Sequence, residues 1–386
     1  MSNDAGSLAL PCAHYRNGDC RSCNLLPQPY ATQLADKAAR CRALLSRHAD
    51  LRWLPAQASP VGAFRNKAKM AVAGSMDAPT LGLADATGFS TDLRDCPLYP
   101  ADMQQALDTL AEFVSRAKLP PYDIPQRQGE LKFLLLTRAA GSGEFLLRFV
   151  LRSREAIQRI DKQLPWLRQQ LPALRVASAN LLPEHKAALE GTIELPFAGP
   201  GQLELRINER TLRLGPRCFW QTNDAIAAAL YRQARDWCED IDPGSVWDLY
   251  CGIGGFALHL ANGRRAISGI ELATEAIACA QTAGAGLGDE RLQFHAADAT
   301  AFAESHRDAP DLLVVNPPRR GLGERLCRWI DTSPSRWLIY SSCNAETLAA
   351  DLARLPRWQA RQARVFDMFP HSHHFEAAVL LQRAAA

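Results

Sequence analysis

The sequence predicts an α/β protein, with a doubly wound, Rossmann-like sheet in its second half behind an α+β front domain. Three observations predict it. Val246–Leu260 reads V-W-D-L-Y-C-G-I-G-G-F-A-L-H-L, an apolar strand, a glycine-rich turn and a helix start. From Asp224 onward strand-like and helix-like stretches alternate, as a sheet covered by helices requires. The apolar runs also end in polar residues, Tyr250, Glu271, Asp298, Asn316 and Ser342-Cys343, and ligands of open α/β sheets bind at such ends.

The 386 residues suffice for two or three domains. Hydrophobic content of 47% with 22% charged residues marks a soluble globular chain. No apolar run approaches a membrane span, and Met1–Leu10 lacks the features of a signal peptide. A cytoplasmic protein with no membrane partner is expected, and no obligate protein partner is evident. Net charge is +3, unevenly spread: residues 1–216 hold 27 Lys+Arg against 21 Asp+Glu, and residues 217–386 hold 17 against 20. A polyanion should therefore meet the front first.

Taken in order, the chain opens with Cys12, Cys20 and Cys23 in a short polar segment, C-x7-C-x2-C. Three soft ligands so close together suggest a metal. Cys41 lies in a helical pattern from Tyr30 to Leu45, whereas Cys96 lies in the rigid turn D-C-P-L-Y-P, so Cys96 is chosen as fourth ligand. Spacing alone leaves zinc and an iron-sulfur cluster both open. Arg65, Lys67 and Lys69 then alternate with apolar residues along Phe64–Val72, which puts three cations on one strand face. Lys132, Arg148 and Arg152 occupy further strand-like runs, and the whole ribbon is expected to hold phosphates. A helix over Glu155–Gln170, a strand over Val176–Leu182 and two short runs over Leu203–Arg217 complete the front. The boundary is placed at 216/217, ahead of a helix over Asp224–Cys238 capped by Thr222 or Asn223.

Seven strands follow, at Val246–Tyr250, Ala266–Ile270, Leu292–His295, Leu312–Val315, Trp337–Tyr340, Ala363–Phe366 and Ala377–Leu381. The last two lack an intervening helix and form a hairpin-like pair. In the glycine turn, Gly252 and Gly254 let backbone approach a ligand, and the helix from Gly255 aims free N–H groups at it. The turn reads G-x-G-x-x-A with Glu271 nineteen residues after Gly252, a spacing that also suits a dinucleotide. Asp248 four residues before Gly252, together with Asn316-Pro317-Pro318, separates the two readings. The combination resembles class I S-adenosylmethionine-dependent methyltransferases, whose seven-stranded sheet it also matches. That resemblance implies that Glu271 holds the ribose hydroxyls, with Asp248, Gly252, Gly254 and Asp298 in the same cofactor site.

Asn-Pro-Pro is followed by Arg319, where enzymes methylating exocyclic amines carry an aromatic residue, so a different acceptor is expected. Cys343 ends the fifth strand. A pyrimidine C5 is a poor nucleophile until a thiolate adds at C6, and a cysteine at the mouth of a methyl-donor site meets that need. N–H groups of the helix starting at Ala345 are expected to lower its pKa. A base must then take the C5 proton, and Glu376, in F-P-H-S-H-H-F-E, is the candidate. The three histidines there are read as part of a loop closing over the base rather than as metal ligands.

From Cys12 to about Leu381 the chain resembles the RNA uracil-C5-methyltransferase family, through F-R-N-K-A-K-M, D-C-P-L-Y-P, N-P-P-R-R-G, S-S-C-N and F-P-H-x-x-H-x-E. The resemblance implies methyl transfer from S-adenosylmethionine to a uracil of 23S ribosomal RNA, at position 747. It further implies a [4Fe-4S] cluster on Cys12, Cys20, Cys23 and Cys96, cofactor contacts from Gln221, Tyr250, Glu271 and Asn316, Cys343 as nucleophile and Glu376 as base. Tyr250 stands where relatives commonly have Phe, and no small barrel precedes Cys12. Rival readings are the same chemistry on another uracil of ribosomal or transfer RNA, and an iron-sulfur redox enzyme with a nucleotide cofactor.

Overall fold

The structure, a computed structural model, describes residues 9–384 except 86, 198 and 307. Most of Met1–Leu10, read above for a leader, lies outside the described residues. The chain begins with α1 (Ala13–Asn17), α2 (Tyr30–Leu44) and the two-residue strand β1 (Arg52–Trp53). A front sheet follows from β2 (Lys67–Gly74), β3 (Pro79–Ala84), β4 (Ser90–Asp92), β5 (Leu131–Arg138), β6 (Phe145–Leu151), β7 (Leu174–Leu181) and β8 (Ile193–Pro196), with α3 (Ala101–Arg116) and α4 (Ile157–Gln170) between strands. Its order is β4-β3-β2-β5-β6-β7-β8. Only β6 and β7 pair in parallel, because α4 carries the chain back between them. Met103, Leu107, Leu110 and Val114 fall at helical spacing on α3, and that stripe is buried with Met70, Leu134, Leu147 and Phe149 of the sheet.

A hairpin of β9 (Leu203–Ile207) and β10 (Arg210–Leu214) leads to α5 (Asp224–Ile241). The Asn223 side chain accepts from Ile226 N at 3.3 Å and caps that helix. The second sheet is built from β11 (Ser245–Leu249), β12 (Ala266–Glu271), β13 (Leu292–Ala296), β14 (Leu312–Val315), β15 (Trp337–Ser342), β16 (Trp358–Phe366) and β17 (Glu376–Arg383). Its helices are α6 (Gly255–Leu260), α7 (Thr274–Ala285), α8 (Ala299–Ser305), α9 (Glu324–Thr332) and α10 (Ala345–Leu352). The order is β1-β16-β17-β15-β14-β11-β12-β13, with β17 antiparallel to both neighbours. Seven strands were expected. The eighth is β1, which pairs in parallel with β16 through Arg52 and Trp53. A two-residue strand carries too little periodicity to be read from sequence.

Three stretches ahead of residue 216 thus pack with the second sheet: α2, whose Cys41 shares a core with Leu338 and Val365; β1; and the β9–β10 hairpin, whose Leu203, Leu205, Leu212 and Leu214 share a core with Leu230, Ala234 and Ile277. No helix among the described residues is long and apolar enough to cross a membrane.

Candidate active site

Strands β13, β12, β11, β14 and β15 run parallel in register, so their carboxyl ends lie along one edge. Tyr250, Glu271, Asn316 and Cys343 follow directly on that edge or end it. The glycine turn is tied across it, because Gly252 N donates to Glu271 Oε2 at 3.3 Å and Asn316 N to Leu249 O at 3.4 Å. Gly252 has φ +54° and, among the described residues, nothing within 4 Å of the place a Cβ would occupy, a bare backbone cradle. Gly254, at φ +86°, closes the turn against Phe294, 3.0 Å from a Cβ position. Tyr250 itself takes φ +67°, a left-handed backbone uncommon outside glycine.

Asp248 is fully buried beneath the turn. Its Oδ2 accepts from Ala257 N at 2.9 Å, while Oδ1 has no partner among the described residues. Burial pushes the carboxyl up to about 7 despite that N–H, and nearby Glu271 adds to the rise. Glu271 Oε1 also accepts from Ala273 N at 2.9 Å. Asp298 is exposed and caps α8 through Ala301 N at 2.9 Å, with Tyr250 close enough to feel its charge. Gln221 is buried, and its carbonyl accepts from Asn66 Nδ2 at 2.9 Å. A cradle of bare glycine backbone, an unpartnered buried carboxylate oxygen and a second carboxylate at a strand end fit a cofactor with cationic and ribose groups.

Cys343 lines a cavity of about 190 Å³ with Arg40, Arg319, Asn344, His373 and His374. The Asn-Pro-Pro loop reaches it, since Asn344 Nδ2 donates to Arg319 O at 3.3 Å. The expected lowering of the thiol pKa is corrected here. Burial raises it first, the neighbouring Glu376 raises it further, and Arg319 pulls the other way. The N–H groups that were to stabilise a thiolate are taken by the Asn344 side chain, which accepts from Glu346 N and Thr347 N.

Glu376 begins β17 opposite Phe366 and is 1% exposed. Burial pushes it up to about 7, against a Ser341 hydroxyl donating to Oε1 at 2.6 Å. Ser341 was not singled out from the sequence. The period-two alternation of β15 is the signal that could have found it, since Ser341 and Cys343 lie two apart. Lys37 was missed too. Its ammonium lies 2.6 Å from Asp367 with both side chains buried, and it also donates to Phe369 O at 3.0 Å. A lysine in an amphipathic helix gives no sign of this.

Cys12, Cys20, Cys23 and Cys96 line one small cavity with Leu10, Leu26, Leu93 and Leu98. Burial and then the other three thiols push Cys23 up to about 12, and burial takes Cys96 to about 11. Cys41 is fully buried inside the core beside the second sheet, apart from them. Among the described residues no three His, Cys, Asp or Glu side chains are set to hold a metal ion as they stand. Of the cation ribbon, Arg65, Lys67 and Lys69 form no ion pair among the described residues. The other three are corrected. Arg148 is 3% exposed and paired with Glu190 and Glu194, Arg152 pairs with Glu130 at 2.8 Å, and buried Lys132 donates to Glu184 O at 2.8 Å.

The family model described as tRNA (Uracil-5-)-methyltransferase matches residues 202–384. The chain is 47% identical over 375 residues to the 23S rRNA (uracil(747)-C(5))-methyltransferase RlmC of Pectobacterium atrosepticum, covering 97% of this chain and 100% of that protein. It is 46% identical over 374 residues to the RlmC of Serratia proteamaculans, with the same coverage. The crystal structure of Pyrococcus abyssi tRNA (uracil-54, C5)-methyltransferase with S-adenosyl-L-homocysteine superposes with a TM-score of 0.77 at 23% identity, over 93% of this chain and 85% of that one. That likeness establishes the α/β methyltransferase fold. With nearly its whole length aligned at such identity, the chain belongs to the tRNA/rRNA uracil-5-methyltransferase family.

Proposed function

We propose that this enzyme methylates C5 of a uracil in 23S ribosomal RNA, at position 747, with Cys343 as nucleophile and Glu376 as base. The observation that carries the roles is that Cys343, partly buried beside an open cavity, has the buried Glu376 carboxylate as its electrostatic neighbour. The target base must leave its stack to reach that cavity. The Cys343 thiolate adds to C6 and makes C5 nucleophilic. S-adenosylmethionine, when bound, supplies the electrophilic methyl group. Glu376 then takes the C5 proton, the C5–C6 double bond re-forms, and the thiolate leaves. A base near neutrality suits that task, because a sizeable fraction of it is free to accept a proton at neutral pH and the protonated form can return it to water. Asp248, Gly252, Gly254, Glu271, Asp298, Tyr250, Asn316 and Gln221 are assigned to the cofactor, on the cradle and the orphaned carboxylate oxygen described above.

Cys12, Cys20, Cys23 and Cys96 are assigned to a [4Fe-4S] cluster. Support comes from four thiols lining one small apolar cavity. Protein purified without oxygen should be brown and contain iron, and a colourless zinc form would refute the cluster. Residues 1–216 are read as the RNA-binding domain and 217–386 as the catalytic one, with α2, β1 and the β9–β10 hairpin docked across that line. Burial and the neighbouring cations Lys69 and Arg148 lower Lys67 to about 8, a crowding of like charge that a phosphate relieves.

The test is to incubate protein and S-adenosylmethionine with ribosomal RNA lacking its own uracil methyls and map 5-methyluridine by mass spectrometry. One added methyl at 23S position 747 is expected. Methylation elsewhere would revise the target alone, and none on any RNA would overturn the reading.

A further inference from the structure

The loop from Met368 to Phe375, which delivers Glu376 to the site, is held from outside the second sheet. Its centre is His371, fully buried at φ +64°. Two arms of the cysteine unit reach this residue. On the first, Leu26 N donates to Cys23 O at 3.1 Å and Leu25 N to His371 O at 2.9 Å. Gln33 locks that arm, donating to Leu25 O at 3.0 Å while its Oε1 accepts from His371 N at 2.9 Å. On the second arm, the residues after Cys96 take Ala63 N on Pro97 O at 3.0 Å and Arg65 N on Leu98 O at 2.9 Å. Val61, two residues before Ala63, offers its carbonyl to His371 Nε2 at 2.7 Å. The imidazole therefore bears its proton on Nε2 toward Val61. The buried Lys37–Asp367 pair and the Lys37 bond to Phe369 O close the same loop from its other end.

We propose that His371 is a positioning residue through which both arms of the cysteine unit fix the loop that presents Glu376. Filling the cysteine unit orders that loop, and the cysteine unit acts on the reaction without touching the uracil. This rests on the assignment of Glu376 for its catalytic consequence, but not for its structural one. Two hydrogen-bonded routes from opposite sides converge on one buried residue. Loosening either route frees the other's anchor, so the coupling is reciprocal.

The experiment is hydrogen–deuterium exchange on the full chain, isolated anaerobically, against Cys23→Ser, Cys96→Ser and His371→Asn. Asparagine is at ease at positive φ but is too short to keep the Val61 bond. Amides of residues 369–376 should exchange at least about tenfold faster in both cysteine variants. In His371→Asn the same amides and those of residues 20–28 and 94–98 should quicken together, with S-adenosylmethionine affinity within about twofold of wild type. On RNA, His371→Asn should lower kcat, counted per S-adenosylmethionine-binding site so that unfolded protein is left out, about tenfold with KM nearly unchanged, as a misplaced base does. Unchanged exchange of the loop in the cysteine variants, or of the cysteine segments in His371→Asn, would overturn the proposal. If the cysteine variants do not fold, His371→Asn and Gln33→Ala decide it by the same reciprocal readout. Exchange needs no RNA, so failure of this proposal and failure of the uracil reading are told apart.

Discussion

The two sheets use polar residues in opposite ways. In the second sheet Tyr250, Asn316 and Cys343 follow directly on strand ends, where the backbone has left the ladder. In the front sheet the cations stand within strands, where a neighbouring strand or loop can lock them. Arg148 on β6 faces Ser178 on β7 in register and is held by Glu194 of β8 and Glu190. Arg65, just before β2, and Lys67 and Lys69 within it form no ion pair among the described residues. A strand-end position is thus less readily locked by a neighbouring strand than a mid-strand alternation of charge.

That contrast can be broken at several points, from the largest effect to the smallest. Cys343→Ala should abolish turnover, by about 10⁴-fold or more, with S-adenosylmethionine affinity nearly unchanged. Measured single-turnover methylation above that level would remove the nucleophile from Cys343. Glu376→Gln should still methylate but stall at release, leaving a covalent protein–RNA species on a denaturing gel. In wild type the raised carboxyl predicts the matching pH dependence: release is slow at pH 6, where Glu376 holds a proton, and rises through about 7. A pH-independent release rate would contradict the base assignment.

In the front sheet, Arg148→Met should cost about 3–5 kcal/mol by stranding Glu194, read as a lower denaturant midpoint, with the salt dependence of RNA binding unchanged. Lys69→Ala should do the reverse. Stability should shift by no more than about 0.5 kcal/mol, while the slope of log affinity on log salt falls by about one. Equal effects of the two on RNA binding would erase the distinction between locked and open cations.

Legibility in the sequence follows the same division. Seven of the eight strands of the second sheet, and a cap at Thr222 or Asn223, were readable, because periodicity and turn chemistry are local properties. Nothing local reports that Arg148 meets Glu194 forty-six residues away, or that Lys37 meets Asp367 across the chain. The thiol environment of Cys343 was misread for a related reason. The motif places it before a helix, but Asn344 in that same motif spends the helix's N–H groups on its own cap. Ser341 lies one alternation away from Cys343, but a serine within a strand carries no local signal of its partner Glu376, thirty-five residues on.

The central claim is covalent attack by Cys343, and 5-fluorouridine at the target tests it most directly. That base accepts the thiol and the methyl but offers no C5 proton to remove, so the enzyme cannot let go. Incubation with S-adenosylmethionine and such an RNA, followed by nuclease and protease digestion, should leave a methylated fluoronucleotide on the peptide bearing Cys343. A modified peptide bearing another cysteine, or normal methylation of uridine RNA with no trapped species, would contradict the account.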